Sequence, residues 1–157
     1  KSFLPVLLGK AKRHKDYVFG IMTTRGINNG TEAFAIRSVR DKRYKLILNL
    51  NHESKFTNAC TKSPLFQSMV AKAETGDVLA KRLVHAYHHR PAVELFDMEA
   101  DPLEMNNLAG QAGTKKTEAR LRRKLAAWMR AQGDKGVATE MKALERQRPG
   151  KARKKNR

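Results

Sequence analysis

A single cysteine, Cys60, occurs in 157 residues, so the chain has no partner for an internal disulfide and its redox compartment stays open. Tryptophan also occurs once, and aromatic residues make up 6% of the chain. That is few for a protein that stacks nucleobases, and neither zinc-finger spacing nor an aromatic ribonucleoprotein signature is present. No apolar run approaches the roughly 20 residues of a membrane-spanning helix. The opening Lys-Ser-Phe-Leu-Pro-Val-Leu-Leu-Gly has neither the basic start nor the long apolar core of a signal peptide. It does not begin with Met and reads as the middle of a longer protein, so a missing leader says nothing about localisation. Acidic residues are scarce as well, 15 Asp and Glu against 33 Lys and Arg, for a net charge of +18. The excess is uneven. Residues 110–157 hold 16 basic and 4 acidic side chains, whereas the first 109 hold 17 and 11. The surplus therefore belongs to the C-terminal end, where it suits a tail or a solvated helix face better than a cleft.

What is present is enough for one domain with a core: 40% hydrophobic residues in a chain of this length. Ser2 to Gly9 reads as a short helical turn ended by glycine. Tyr17 to Met22 is a continuous apolar run, the pattern of a strand covered on both faces. A polar loop, Thr23 to Thr31, follows. Ala33 to Arg40 and Arg43 to Leu50 read as two strands around Asp41-Lys42, an antiparallel hairpin, with Tyr44, Leu46, Leu48 and Leu50 on one face of the second. Residues 51–62 lack periodicity and read as a loop. Ser63-Pro64 opens a helix as cap and first position, with Leu65, Phe66, Met69, Val70 and Ala73 as its stripe. Gly76 breaks it, and Asp77 caps a second helix whose Val78, Leu79, Leu83 and Tyr87 are expected to face the core, ending near His88-His89-Arg90.

Ala92 to Met98 alternates as an inner strand of the same sheet. Asp101-Pro102-Leu103-Glu104 then offers an N-cap carboxylate, a proline at the first helical position and a glutamate three residues after the cap, which predicts a capped helical turn. A last helix spans about Lys115 to Arg130, with Leu121, Leu125, Trp128 and Met129 on its apolar face. Past Gly133 apolar residues thin out. Residues 1–134 are expected to form the folded subdomain, and 135–157 a basic disordered tail. There is no internal repeat.

Three constellations invite chemistry. His85, His88 and His89 share a helical face, but a zinc site needs further ligands and no local Cys or carboxylate has the spacing to supply them. Cys60 shows no local activation and reads as a small hydrophobe, not a nucleophile. The loop from Thr23 to Thr31 is the most informative: Arg25 can hold an oxyanion through two hydrogen bonds, and Asn28 and Asn29 add donors and acceptors suited to sugar hydroxyls. These three are the candidate substrate-binding residues. No residue is assigned a catalytic or metal-binding role.

The order R-P-A-x-E-L-[FY]-D-x-x-x-D-P-x-E-x-x-N-L from Arg90 to Leu108 is more specific than its parts. With Ile36 to Leu50 and Leu125 to Asp134, it resembles the C-terminal portion of sulfatases of the alkaline phosphatase superfamily, and among them the heparan N-sulfatase (N-sulfoglucosamine sulfohydrolase) branch with its bacterial relatives. The likeness runs in order from about Ser2 to Leu144. It implies an α+β fold: a small four-stranded antiparallel sheet with a C-terminal helix packed on it and two short helices between strands, docked to a large N-terminal catalytic domain of the same polypeptide. Strands at Tyr17 to Thr24, Ala33 to Arg40, Arg43 to Leu50 and Ala92 to Met98 fit that scheme.

The family's nucleophile is a Cys or Ser in C/S-x-P-x-R, converted to formylglycine and assisted by calcium on Asp and Asn side chains. Cys60 lies in Cys-Thr-Lys-Ser-Pro and lacks that motif, so the resemblance places formylglycine and calcium in the preceding domain, with none bound by this segment. It implies that this chain alone is inactive, that it walls the substrate cleft of a sulfatase or sulfohydrolase of glycosaminoglycan degradation, and that the substrate is a sulfated glycan. It also implies a secreted, periplasmic or lysosome-like setting. From charge alone, the competing reading is a free-standing basic module that binds nucleic acid or other polyanions.

Overall fold

The computed structural model describes residues 2–23, 34–143 and 145. The chain divides into two compact units, one built from Lys1–Ile21, Arg37–Leu48 and Val93–Trp128, the other from Met22–Ile36, Asn49–Ala92 and Met129–Arg157. Five helices occur among the described residues: α1 (Leu4–Leu7), α2 (Pro64–Glu74), α3 (Val78–His88), α4 (Lys115–Ala131) and α5 (Val137–Met141). Four strands, β1 (Val18–Met22), β2 (Ile36–Arg40), β3 (Tyr44–Asn49) and β4 (Val93–Asp97), form one antiparallel sheet in the order β1-β2-β3-β4. The expected α+β architecture is the one observed.

In the first unit burial does not follow the expected alternation of β3: the adjacent Leu46 and Ile47 are both buried, whereas Tyr44 and Leu48 are half-buried. Leu46 stands opposite Leu95 of β4 in register, and both are fully buried together with Val39, Leu121 and Leu125. The i, i+4 spacing of Leu121 and Leu125 gives α4 one apolar stripe. One turn on, the Trp128 indole stacks on the Phe19 ring at 4.9 Å and 3°, which seats α4 against β1. Within the sheet, Gly20 of β1 approaches β2 so closely that a Cβ there would lie 2.6 Å from Ser38 Oγ.

The β2–β3 connection shows why a turn without glycine works. Asp41 N–H donates to the Tyr44 carbonyl at 3.0 Å. Its carboxylate Oδ1 then accepts from the amides of Arg43 (2.9 Å) and Tyr44 (2.7 Å). The side chain thus substitutes for missing backbone partners in the turn.

Three further expectations are corrected in this unit. The apolar run at β1 is not covered on both faces: Phe19 packs on Trp128, whereas Val18 on one face is 60% and Ile21 on the other 54% exposed. Nor is β4 an inner strand, since it ends the sheet at the edge opposite β1. Asp101-Pro102-Leu103-Glu104 forms a turn and no helix. Glu104 N–H donates to the Asp101 carbonyl at 3.1 Å, and Glu104 takes a left-handed φ of 56°. The Glu104 carboxylate does not bond back to the cap: it pairs with Lys45 Nζ at 2.7 and 2.8 Å. The Asp101 carboxylate instead accepts from Asn106 N–H at 2.7 Å. A capping box needs its glutamate to fold back locally, and here a cation on β3 holds it elsewhere.

This turn delivers Asn107 to the outer edge of β4. Its Oδ1 accepts from Leu95 N–H at 2.9 Å and its Nδ2 donates to the Val93 carbonyl at 3.0 Å. Leu108 N–H adds a bond to the Leu95 carbonyl at 2.8 Å. One side-chain amide therefore does what a neighbouring strand's peptide would do. Asn107→Ala is expected to cost about 1–2 kcal/mol, the range for stripping partners from partly buried backbone groups. Urea unfolding should show that loss, and exchange of the Leu95 amide should accelerate by more than the amides of β3.

The second unit contains the helical pair. Ser63 Oγ accepts from Phe66 N–H at 3.2 Å with Pro64 in the first turn of α2, and Asp77 Oδ1 accepts from Ala80 N–H at 2.8 Å at the start of α3. Both caps fall where the sequence placed them. Gly76 between them has φ 98°, a conformation that side chains resist. Around the pair sits an aromatic cluster: Phe34 on Phe56 (5.0 Å), Phe56 on Tyr87 (5.7 Å) and Phe66 on Tyr87 (5.1 Å). The helical stripes are narrower than expected. Leu65 is 76%, Val78 81% and Leu79 53% exposed.

Three short elements are absent from the sequence reading, one of them a 3-10 turn at Ala112–Thr114 in the first unit. Ala59–Lys62 form a 3-10 turn capped by the Asn58 side chain, and Val137–Met141 form α5 with Glu140 1% exposed. The beginning of the segment expected as a tail is thus helical, while residues 146–157 lie outside the described residues.

Candidate functional site

Arg25, Asn28 and Asn29 lie in residues 24–33, outside the described residues. What the described chain does assemble is a cationic cleft of about 450 Å³ in the first unit, at the β2–β3 turn. Arg13, Lys42, Arg43 and Arg120 line it together with Tyr17, Tyr44 and two carboxylates, Asp16 and Asp41; Asp16 accepts from Arg13 Nη2 at 2.8 Å. At its centre Arg120 of α4 donates to Asp41 Oδ2 at 2.6 Å and to the Tyr17 hydroxyl at 3.0 Å. Lys124, one helical turn further, places Nζ 5.2 Å above the Tyr17 ring.

Burial pulls the Asp41 pKa upward, but amide hydrogen bonds from Tyr44 and Arg43 and the Arg120 guanidinium outweigh it and hold the carboxyl below its ordinary value. Asp41 in turn raises the pKa of Arg120. Beside them Arg43 grips Asp97 through Nε and Nη2 at 2.6–3.0 Å. The arrangement fixes charges in place. Asp41 is occupied by two amides and a guanidinium, which leaves it unsuited to taking a proton from a substrate. Arg13 is paired with Asp16 and Arg43 with Asp97, whereas Lys42 is exposed.

The other sequence candidates are apart from it. His88 Nδ1 donates to the Phe56 carbonyl at 2.8 Å and its ring packs edge-on against Phe66, a structural assignment. His85 and His89 stack on each other at 4.8 Å. Among the described residues no three His, Cys, Asp or Glu side chains gather to hold a metal ion. Cys60 is exposed within the 3-10 turn. The Arg120–Asp41–Tyr17 group escaped sequence reasoning because its members are separated by 79 and 103 positions. The available signal was an Asp at a tight turn and a helix rich in cations.

No protein-family model matches the chain. Among curated proteins, an ulvan-active sulfatase of Formosa agariphila is 35% identical over 133 residues, 85% of this chain and 24% of that protein. A second ulvan-active sulfatase of the same organism is 29% identical over 118 residues, 73% of the chain and 20% of its own length. Human N-sulphoglucosamine sulphohydrolase is 30% identical over 149 residues, 92% of the chain and 28% of its length. The chain is related to the C-terminal portion of sulfatases. It spans between 20% and 28% of the length of these relatives, so a sulfatase of their length carries a larger N-terminal part.

Proposed function

We propose that this chain is the C-terminal segment of a sulfatase that hydrolyses sulfate esters or sulfamates of a sulfated glycan, and that its task is to complete the fold and wall the substrate cleft. The observation that carries the reading is the match to sulfatases across 85% and 92% of the chain. The formylglycine and calcium expected of such enzymes do not fit the residues present here: Cys60 lacks the C/S-x-P-x-R setting, and the described side chains supply no carboxylate cluster for an ion. Both belong to the N-terminal catalytic domain, and no chemical step is assigned to this segment.

Its own contribution is contact. Phe3, Leu4, Leu7 and Leu8 are each more than half exposed along the N-terminal segment, together with Val18 and Ile21 on β1. Exposed apolar side chains of this kind favour burial against a partner, and the partner proposed is the catalytic domain. Arg25, Asn28 and Asn29 are proposed to meet the sugar, the guanidinium taking an oxyanion and the amides the hydroxyls. In the complete enzyme, Arg25→Ala is expected to raise KM for the sulfated substrate about tenfold, the scale of one charge-assisted hydrogen bond, with Tm unchanged. Equal kinetics for both proteins would remove Arg25 from the site. The broader reading is tested by sequence upstream of Lys1, where a C/S-x-P-x-R motif and paired aspartates are expected; an unrelated domain there would sink it.

A further inference from the structure

The first unit also carries a band of cations along one side of α4. Lys116, Arg120 and Lys124 recur every four residues on α4 and Arg123 lies beside them, so the four share one side of the helix. Lys116, Arg123 and Lys124 are exposed. From Lys116 to Lys124 the band runs about 12 Å along the axis at 1.5 Å per residue. Arg120 joins two depressions: the cleft bearing Arg13, Lys42 and Arg43, and a second on the helix surface lined by Lys116, Thr117 and Arg123.

Like charges at i, i+4 weaken a helix; in this row Asp41 pairs with the central Arg120, while Glu118 is turned to the neighbouring row. Asp41 is shared among Arg120 and two amides. Glu118 accepts from Gly110 N–H at 2.9 Å and from Arg122 Nε at 2.8 Å, a pairing with the neighbouring row of the helix. The band is therefore a standing positive surface. Its central guanidinium is fixed in orientation, its flanking cations are long exposed side chains, and the Tyr17 ring lies among them. That combination suits a linear, flexible polyanion whose charged groups are spread along several units.

We propose that this band is a secondary binding surface for a sulfated polysaccharide, engaging sugar units of the chain other than the one being desulfated. The inference rests on the sulfatase reading and deepens it: the substrate is polymeric and held at two places. Sulfated sugar is favoured over nucleic acid because the two tyrosines of the cleft each already carry a cation over the ring, Lys124 over Tyr17 and Arg43 over Tyr44, and so offer no open platform on which successive bases could stack.

The test uses the complete polypeptide and size-defined, heparin-type sulfated oligosaccharides. The variant Lys116→Ala/Arg123→Ala/Lys124→Ala is expected to bind them about tenfold more weakly at low salt, with a smaller slope of log affinity on log salt because fewer counterions are exchanged. For a long oligosaccharide substrate, KM should rise severalfold while kcat holds. A charge-matched control in the second unit, Lys62→Ala/Lys81→Ala/Arg82→Ala at three exposed positions, should change neither. If the triple variant unfolds, Arg123→Ala alone, expected at a twofold to threefold loss, with rescue by Arg123→Lys, decides the matter. Unchanged affinity and salt slope would overturn the proposal. So would equally tight, equally salt-dependent binding of single-stranded DNA of matched charge, which would mark the band as an indiscriminate polyanion surface. Polysaccharide binding without any sulfate release from any sulfated sugar would instead refute the catalytic reading and leave the surface standing.

Discussion

Leu125→Ala is expected to lower the stability of the fold by about 3 kcal/mol, within the 2–5 kcal/mol range for truncating a fully buried leucine. Leu125 is 0% exposed, as are Leu121, Val39, Leu46 and Leu95 in the same unit. Removing three carbons forfeits their transfer from water and leaves a void that helix α4, held at Trp128 by Phe19 and at Arg120 by Asp41, cannot easily collapse into. Urea unfolding followed by the fluorescence of Trp128 reads the change as a lower midpoint with an unaltered slope. Leu103→Ala supplies the contrast, because Leu103 is 80% exposed and its truncation should stay within about 0.5 kcal/mol. A loss below about 1 kcal/mol at Leu125 would show that α4 is not seated on the sheet as described.

Asp97→Asn is the second large effect, and its signature is pH dependence. The Asp97 side chain is 9% exposed and accepts from Arg43 Nε and Nη2, and more loosely from the amides of Glu99 and Ala100. The Arg43 guanidinium beside it holds its pKa down to about 2, from an ordinary 3.8. A carboxyl whose folded pKa is depressed stabilises the fold at every pH above its unfolded value and loses that contribution as pH falls through the folded value. The wild-type chain should therefore lose stability steeply between about pH 4 and pH 2, and Asp97→Asn should flatten that descent while lowering Tm by several degrees at pH 7. Arg43→Ala is the harsher partner. Arg43 is half exposed and can rehydrate, whereas Asp97 would be left enclosed without its cation. An acid-unfolding profile of Asp97→Asn that superimposes on the wild type would show that this pair does not set the acid limit.

The sequence spoke clearly where the physics is local. The caps at Ser63 and Asp77, the break at Gly76, the hairpin at Asp41 and the Leu121–Leu125 stripe each depend on residues within a turn or two, and all are found in place. It misled where a distant partner overrode the local pattern. Glu104 had the spacing of a capping box, but Lys45, 59 positions away, took its carboxylate. Ala92 to Met98 carried the alternation of a strand and nothing that could say which side of the sheet it would end. The apolar run at β1 suggested two covered faces, although hydrophobicity alone cannot say what does the covering. The cationic cleft was hidden for the same reason, being assembled from the N-terminal segment, a hairpin turn and a helix. Arg25, Asn28 and Asn29, chosen for their chemistry alone, remain a proposal about the complete enzyme.

The clasp that Asn107 places on β4 also governs self-association. A sheet edge with free amides and carbonyls recruits further strands, from neighbouring copies as readily as from a partner. On the β4 side, Leu95 and Val93 have already spent those groups on Asn107 and Leu108. Edge-to-edge polymerisation on that side is therefore opposed by the Asn107 amide together with Leu108 N–H. Loss of Asn107 would reopen the β4 edge to strand addition.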